Sequence, residues 1–108
     1  MSYDIWLTID TGGREHATVA EVGNYTSNVS PMWTRALGFP LADLHHKNAG
    51  GCIASLVEAV ARFEDEPEEF SKLNPDNGWG DANGAANYLR RLLEACRKHP
   101  LARVEIWR

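Results

Sequence analysis

The two ends of this chain alternate apolar and polar residues, and this alternation constrains the fold more than any other feature of the sequence. It covers residues 3–9 and 102–107, and a period of two residues is typical of a strand with one buried face. Asp10-Thr11-Gly12-Gly13 is a turn sequence, after which residues 16–22 can return as the second strand of a hairpin. The apolar positions of the two end strands are Tyr3, Ile5, Leu7, Ile9, Ala102, Val104 and Ile106.

Apolar residues recur at helical spacing in the rest of the chain. One helix is predicted from about residue 48 to 64, and another over residues 82–98 with Asp81 as its N-cap. Two shorter helices are predicted over residues 31–37 and 67–73, because each segment begins with a proline. The residue before the first of these prolines is a serine, which predicts an N-cap at Ser30.

These elements predict one α+β domain spanning residues 1–108. The sheet is expected to be small and mainly antiparallel, with an N-terminal hairpin plus the C-terminal strand, and to be packed against three to four helices. A composition of 44% hydrophobic and 24% charged residues is typical of a single globular domain of this length.

Composition and charge exclude several classes of protein. The formal charge of −4 argues against binding to a nucleic-acid polymer, which requires a basic surface. The sequence has no apolar run long enough to cross a membrane and no signal-peptide pattern at its start, so we expect a cytoplasmic protein with no membrane partner. Cys52 and Cys96 fall at or beside apolar helix positions, which predicts small buried side chains in a reducing compartment.

Residues 24–33, Asn-Tyr-Thr-Ser-Asn-Val-Ser-Pro-Met-Trp, form the most unusual stretch of the sequence. Asn24, Thr26 and Asn28 offer uncharged donors and acceptors immediately before a predicted helix start, whose free N–H groups would point back toward them. This arrangement favours a neutral polar pocket. Asn, Thr and Ser also cluster in turns where they bond to their own backbone, and both interpretations stay open.

A second unusual stretch, Asn-Pro-Asp-Asn-Gly-Trp-Gly-Asp, covers residues 74–81. Trp79 lies between two glycines, whose backbone can take positive φ on either side of the ring and so aim a large side chain from a loop. Either Trp79 covers the core, or Trp79 and Asn77 close over the polar pocket of residues 24–28.

Catalytic and metal-binding patterns are lacking in the sequence, so we expect no cofactor and favour a non-catalytic protein. Residues 10–12 supply a single Asp-Thr-Gly, whereas aspartic proteases need two such carboxylates. His45 and His46 are adjacent and have no partner at i+3 or i+4, which predicts an exposed loop pair and no metal site.

The two stretches, Asn-Tyr-Thr-Ser-Asn-Val-Ser-Pro-Met-Trp and Asn-Pro-Asp-Asn-Gly-Trp-Gly, followed by an amphipathic helix and a short strand, resemble a family of small uncharacterised proteins of bacteriophages and actinobacteria. The resemblance covers most of the chain but brings no named activity and no catalytic residues. It implies that one constellation is formed by Asn24, Thr26, Asn28, Asn77 and Trp79.

The leading hypothesis is a non-catalytic protein that binds a small polar, nucleotide-like ligand, because bases stack on indole and phosphates favour helix starts. For a phage protein, that would mean sequestering a host signalling nucleotide in the host cytoplasm. The predicted ligand-binding residues are Asn24, Thr26, Asn28, Trp33, Asn77 and Trp79.

The alternative hypothesis is a protein-interaction module or homodimer. Pairing of the two end strands would leave Trp6 and Trp107 on the outer face of the sheet, where an exposed aromatic patch could bind a host protein or a second copy. Ordinary cross-strand packing on a solvated face would place the two rings in the same way.

Overall fold

A three-stranded antiparallel sheet forms one layer of the protein, and the computed structural model describes all 108 residues. The central strand is β1 (Ser2–Ile9), which pairs with β2 (Ala17–Thr26) on one side and β3 (Arg103–Trp107) on the other. The predicted hairpin and its pairing with the C-terminal strand are therefore confirmed. β2 runs beyond the predicted end at Val22, because its backbone stays paired with β1 as far as Thr26, opposite Ser2.

Four α-helices form the second layer, and the predicted α+β class is confirmed. Asn48 and Asp81 cap the two long helices, since their side chains accept hydrogen bonds from the backbone of Gly51 and Gly84. The cap at Asp81 was predicted, whereas for the other helix only the approximate start was predicted. None of the helices is both long and apolar enough to cross a bilayer. The helices are α1 (Ser30–Leu37), α2 (Ala49–Asp65), α3 (Pro67–Ser71) and α4 (Ala82–Lys98), with 3₁₀ turns at Ser27–Val29 and Leu41–Leu44.

The start of α1 differs from the prediction. Ser30 is the first helical residue and Val29 occupies the N-cap position without a side-chain cap. A 3₁₀ turn runs directly into the helix, and the capping side chain comes earlier, where Thr26 Oγ1 accepts from the backbone N–H of Asn28. The prediction of Ser30 as N-cap is therefore wrong, because helical structure already begins in the 3₁₀ turn before the proline.

The core lies between the apolar face of the sheet and α1, α2 and α4, and 29 buried residues form one continuous cluster. Trp33 is among the largest fully buried side chains, and its ring meets Tyr3 edge-on at 5.2 Å between ring centres. Burial raises the pKa of the Cys96 thiol to about 12 and also raises that of Cys52, which keeps both thiols neutral and unreactive. Both cysteines are free and buried, as predicted.

Candidate functional site

The two unusual polar stretches meet at one cavity of about 480 Å³. It opens where the end of β2 approaches the loop that precedes α4. The structure brings together five of the six predicted ligand-binding residues, all except Trp33. The residues that line the cavity are Met1, Ser2, Asn24, Tyr25, Thr26, Asn28, Asn77, Trp79 and Gly80.

Close backbone approach holds the loop against β2. A Cβ atom added to Gly80 would lie 2.6 Å from Cγ2 of Thr26 and 2.8 Å from Cγ1 of Val29, so only glycine fits there without a shift. The hydroxyl of Tyr25 also accepts a hydrogen bond from the backbone N–H of Asp81, at 3.3 Å. The loop and the end of β2 therefore form one interlocked unit, although they are far apart in the sequence.

Trp79 is held in an exposed position at the edge of this cavity. Gly78 has φ of +75° and Gly80 has φ of +89°, which confirms that both glycines flanking the ring take the left-handed conformation. The backbone N–H of Trp79 donates to Oδ1 of Asn77, at 2.9 Å, and fixes the turn. The side chain is 66% exposed, which rules out the interpretation of Trp79 as a cover over the core.

The amide side chains at the cavity are only partly used within the protein. Asn24 Nδ2 donates to the carbonyl of Tyr3, and Asn28 Nδ2 donates to Thr26 Oγ1. Asn77 uses its Oδ1 for the turn at Trp79. One atom of each amide is therefore bonded within the protein, to a backbone group for Asn24 and Asn77 and to a side chain for Asn28. Oδ1 of Asn24, Oδ1 of Asn28 and Nδ2 of Asn77 make no such bond and can bond to a ligand.

Trp33 does not contribute to the cavity. Its side chain is 0% exposed, and its Nε1 donates to the carbonyl of Ala85 in α4, at 3.0 Å. The prediction of Trp33 as a ligand-binding residue is therefore wrong. In so short a helix, sequence spacing alone did not distinguish the buried face from the face nearest the polar stretch.

Helix N-termini are also unavailable to a ligand at this site. No residue of α1 lines the cavity, because the 3₁₀ turn lies between them and Ser30 N–H donates to the carbonyl of Ser27. At the start of α4, Ala82 N–H donates to Asn74 Oδ1 and Gly84 N–H donates to Asp81 Oδ1. The positive helix ends expected at the pocket are thus occupied by the protein's own groups.

Trp6 and Trp107 both lie on the face of the sheet opposite the core, as predicted. Trp6 is paired with Glu105 and Trp107 with Asp4, so the two indoles are diagonal neighbours interspersed with carboxylates. Trp107 is 70% exposed, whereas Trp6 is half-buried. This face is mixed aromatic and charged rather than a continuous apolar patch.

A carboxylate is buried on this same outer face. Glu105 is 7% exposed, and its Oε2 accepts from Thr8 Oγ1 at 2.8 Å and from the Arg103 guanidinium at 2.8 and 2.9 Å. Oε1 lies 3.1 Å from Nε2 of His46. Burial acts to raise the pKa of Glu105, but the hydrogen bonds from Thr8 and Arg103 and the charges of Arg103 and His46 outweigh it, and the net pKa is lowered.

His45, His46 and Glu105 bring three possible metal-ligating atoms within 4.8 Å of one another. This cluster could not be predicted from the sequence, because Glu105 comes from β3 and has no fixed spacing from the histidine pair. His45 Nδ1 accepts from Ile106 N–H at 2.9 Å, so the neutral ring carries its proton on Nε2. In a metal site, the ring nitrogen that does not bind the metal normally donates a hydrogen bond. Here Nδ1 of His45 accepts one instead, so the ring is not arranged as a metal ligand.

The histidine pair instead closes the free edge of β3. His46 N–H donates to the carbonyl of Val104, and Val104 N–H donates to the carbonyl of Lys47. The hydrogen bond from Ile106 to His45 continues this row of bonds along the edge. Residues 45–47 thus protect the edge from pairing with another strand.

Comparison of the chain with protein-family models, curated proteins and solved structures finds no match. The resemblance to small phage and actinobacterial proteins therefore stays a prediction. The case for function rests on the geometry of the site.

Proposed function

We propose that this protein is a non-catalytic binding module that holds a small polar, nucleotide-like ligand in the cavity between β2 and the loop before α4. The observation that carries the proposal is the position of Trp79, whose exposed ring stands beside amide groups with free hydrogen-bonding atoms. A volume of about 480 Å³ is in the range of small-molecule sites.

Ligand affinity in this proposal comes from stacking and from amide hydrogen bonds. A ring stacked on an indole contributes about 1–3 kcal/mol, and the amides of Asn24, Asn28 and Asn77 orient the ligand. Because the backbone at Gly80 packs closely against Thr26 and Val29 and the bond from Trp79 to Asn77 holds the turn, little ordering of the loop backbone is needed on binding. If the protein is phage-encoded, it would sequester a host molecule in the host cytoplasm.

Native mass spectrometry of the protein purified from its expressing cells tests this proposal. We expect a small mass that is retained under native conditions, lost on denaturation, and absent from Trp79→Ala. Trp107→Ala is the matched control, since it removes an equally exposed indole that does not line the cavity. Retention of the same mass by Trp79→Ala would contradict the proposal.

A second candidate function is binding of a host protein or a second copy through the outer face of the sheet. The observation that favours it is Trp107, which is 70% exposed on a face that no helix covers. Light scattering at high concentration and a pull-down would test it. If the parent protein is a monomer that captures no partner, and Trp107→Ser gives the same results, this function would be contradicted.

A further inference from the structure

We propose that the ligand is recognised as an uncharged heterocyclic ring, a nucleobase or nucleoside, and that the cavity disfavours a phosphate group. This inference rests on the proposed binding function and specifies its ligand class. It departs from the expectation that a phosphate would be held at a helix start.

The distribution of charge around the cavity disfavours a phosphate group. None of the nine lining residues has an acidic or basic side chain. Asp4 faces Asn24 across the paired strands, and Asp76 and Asp81 are exposed residues that flank the Asn77–Gly80 loop. A phosphate in the cavity would therefore lie near carboxylates, and no lining residue has a cationic side chain to balance it.

The backbone donors at the start of α4 do not make up for this absence. The N–H groups of Asp81, Ala82 and Gly84 already donate to side-chain oxygens of the protein itself. A phosphate at a helix start needs such N–H groups free, and here they are occupied.

The amide atoms that make no bond within the protein favour a heterocyclic ring as the ligand. Oδ1 of Asn24 and Oδ1 of Asn28 can accept hydrogen bonds, and Nδ2 of Asn77 can donate one. The edge of a nucleobase presents N–H donors beside an acceptor in one plane, which complements this set. The flat face of the same ring stacks on Trp79, so one planar group satisfies both features.

Calorimetric titration of the purified protein with the four common ribonucleosides, their 5′-monophosphates and methyl glucoside tests the inference. We expect at least one nucleoside to bind and its monophosphate to bind at least tenfold more weakly in low salt. That gap should narrow as salt is added, because salt screens the carboxylates. Trp79→Ala should abolish binding, whereas Trp107→Ala should leave it unchanged.

The outcomes separate this inference from the proposed function. A monophosphate that binds as tightly as its nucleoside would overturn the inference while leaving the proposed function intact. Binding of the glucoside alone would overturn both the inference and the nucleotide-like ligand of the proposed function. If none of these compounds binds, the chemical formula from the exact mass retained in native mass spectrometry tests the inference. A phosphorus-containing formula overturns the inference, a phosphorus-free heterocycle supports it, and no retained mass counts against both the inference and the proposed function.

Discussion

Gly84, in the first turn of α4, lies directly against Tyr25 of β2, so that a Cβ atom at position 84 would fall 2.6 Å from Cζ of the tyrosine and overlap its hydroxyl. This contact joins the end of β2 to the start of α4. The tyrosine ring is also held from behind, with its centre 5.9 Å from that of Tyr88 and 6.2 Å from that of Trp33. The floor of the cavity therefore depends on the absence of a side chain at Gly84.

Replacement of Gly84 by alanine is expected to destabilise the fold. Alanine is favoured over glycine inside a helix by about 1 kcal/mol, but the clash with Tyr25 should cost about 1–3 kcal/mol and outweigh that gain. Chemical denaturation measures the free energy of unfolding. Gly13→Ala is the control, because its nearest atom would be 3.7 Å away, and a stabilised Gly84→Ala would contradict the expected clash.

Replacement by phenylalanine is expected to lower stability much more at Trp33 than at Trp79. Trp33→Phe removes the hydrogen bond to Ala85 and leaves a void in the core, so we expect a loss of about 1–3 kcal/mol in stability. Trp79→Phe changes an exposed ring and should shift stability by less than about 0.5 kcal/mol. Thermal denaturation of both variants checks this, and equal losses would contradict the assignment of Trp33 to the core.

The sequence predicts those parts of the fold that are determined by residues close together in the chain. Strand alternation at the chain ends and the cap at Asp81 are read within a few residues, and they were predicted correctly. The last part of β2 was missed because Asn24-Tyr25-Thr26 is rich in polar and turn-forming residues, and only pairing with β1 keeps it extended.

The candidate site could be predicted in part for the same reason. Glycine chemistry around Trp79 is local, and it correctly indicated positive φ on both sides of the ring, but it did not decide between a cover over the core and an exposed ring. The burial of Trp33 is decided by Tyr3 and α4, which come from distant parts of the chain. The environment of Glu105 likewise depends on Thr8 and His46, and no spacing in the sequence connects these residues.

Glu105 is expected to contribute to the acid sensitivity of the fold. Its pKa in the folded protein is lowered from an ordinary value of 4.5, so its stabilising effect is fully present above that value and is lost as the pH falls through the lower folded pKa. Glu105→Gln should therefore be less stable than the parent protein near pH 7, by about 1–3 kcal/mol, because Arg103 loses its partner charge.

The difference in unfolding free energy between the parent and Glu105→Gln, measured from pH 7 down to pH 3, isolates this carboxylate from the others. The difference should shrink below about pH 4.5, where the parent begins to lose the contribution of Glu105. Glu21→Gln is the matched control, since Glu21 is an exposed residue paired with Trp6 on the same face. A difference that stays constant with pH would contradict a lowered pKa for Glu105.

His45 is expected to act as an acceptor that closes the edge of β3. In His45→Ala, the Ile106 N–H loses its partner, and we expect a loss of about 1–2 kcal/mol in stability with faster hydrogen exchange at that amide. His45→Asn can present Oδ1 near the position of Nδ1 and should recover part of the loss. Exchange measured by NMR distinguishes the variants. Equal protection of Ile106 in the parent and in His45→Ala would show that the edge is closed without this side chain.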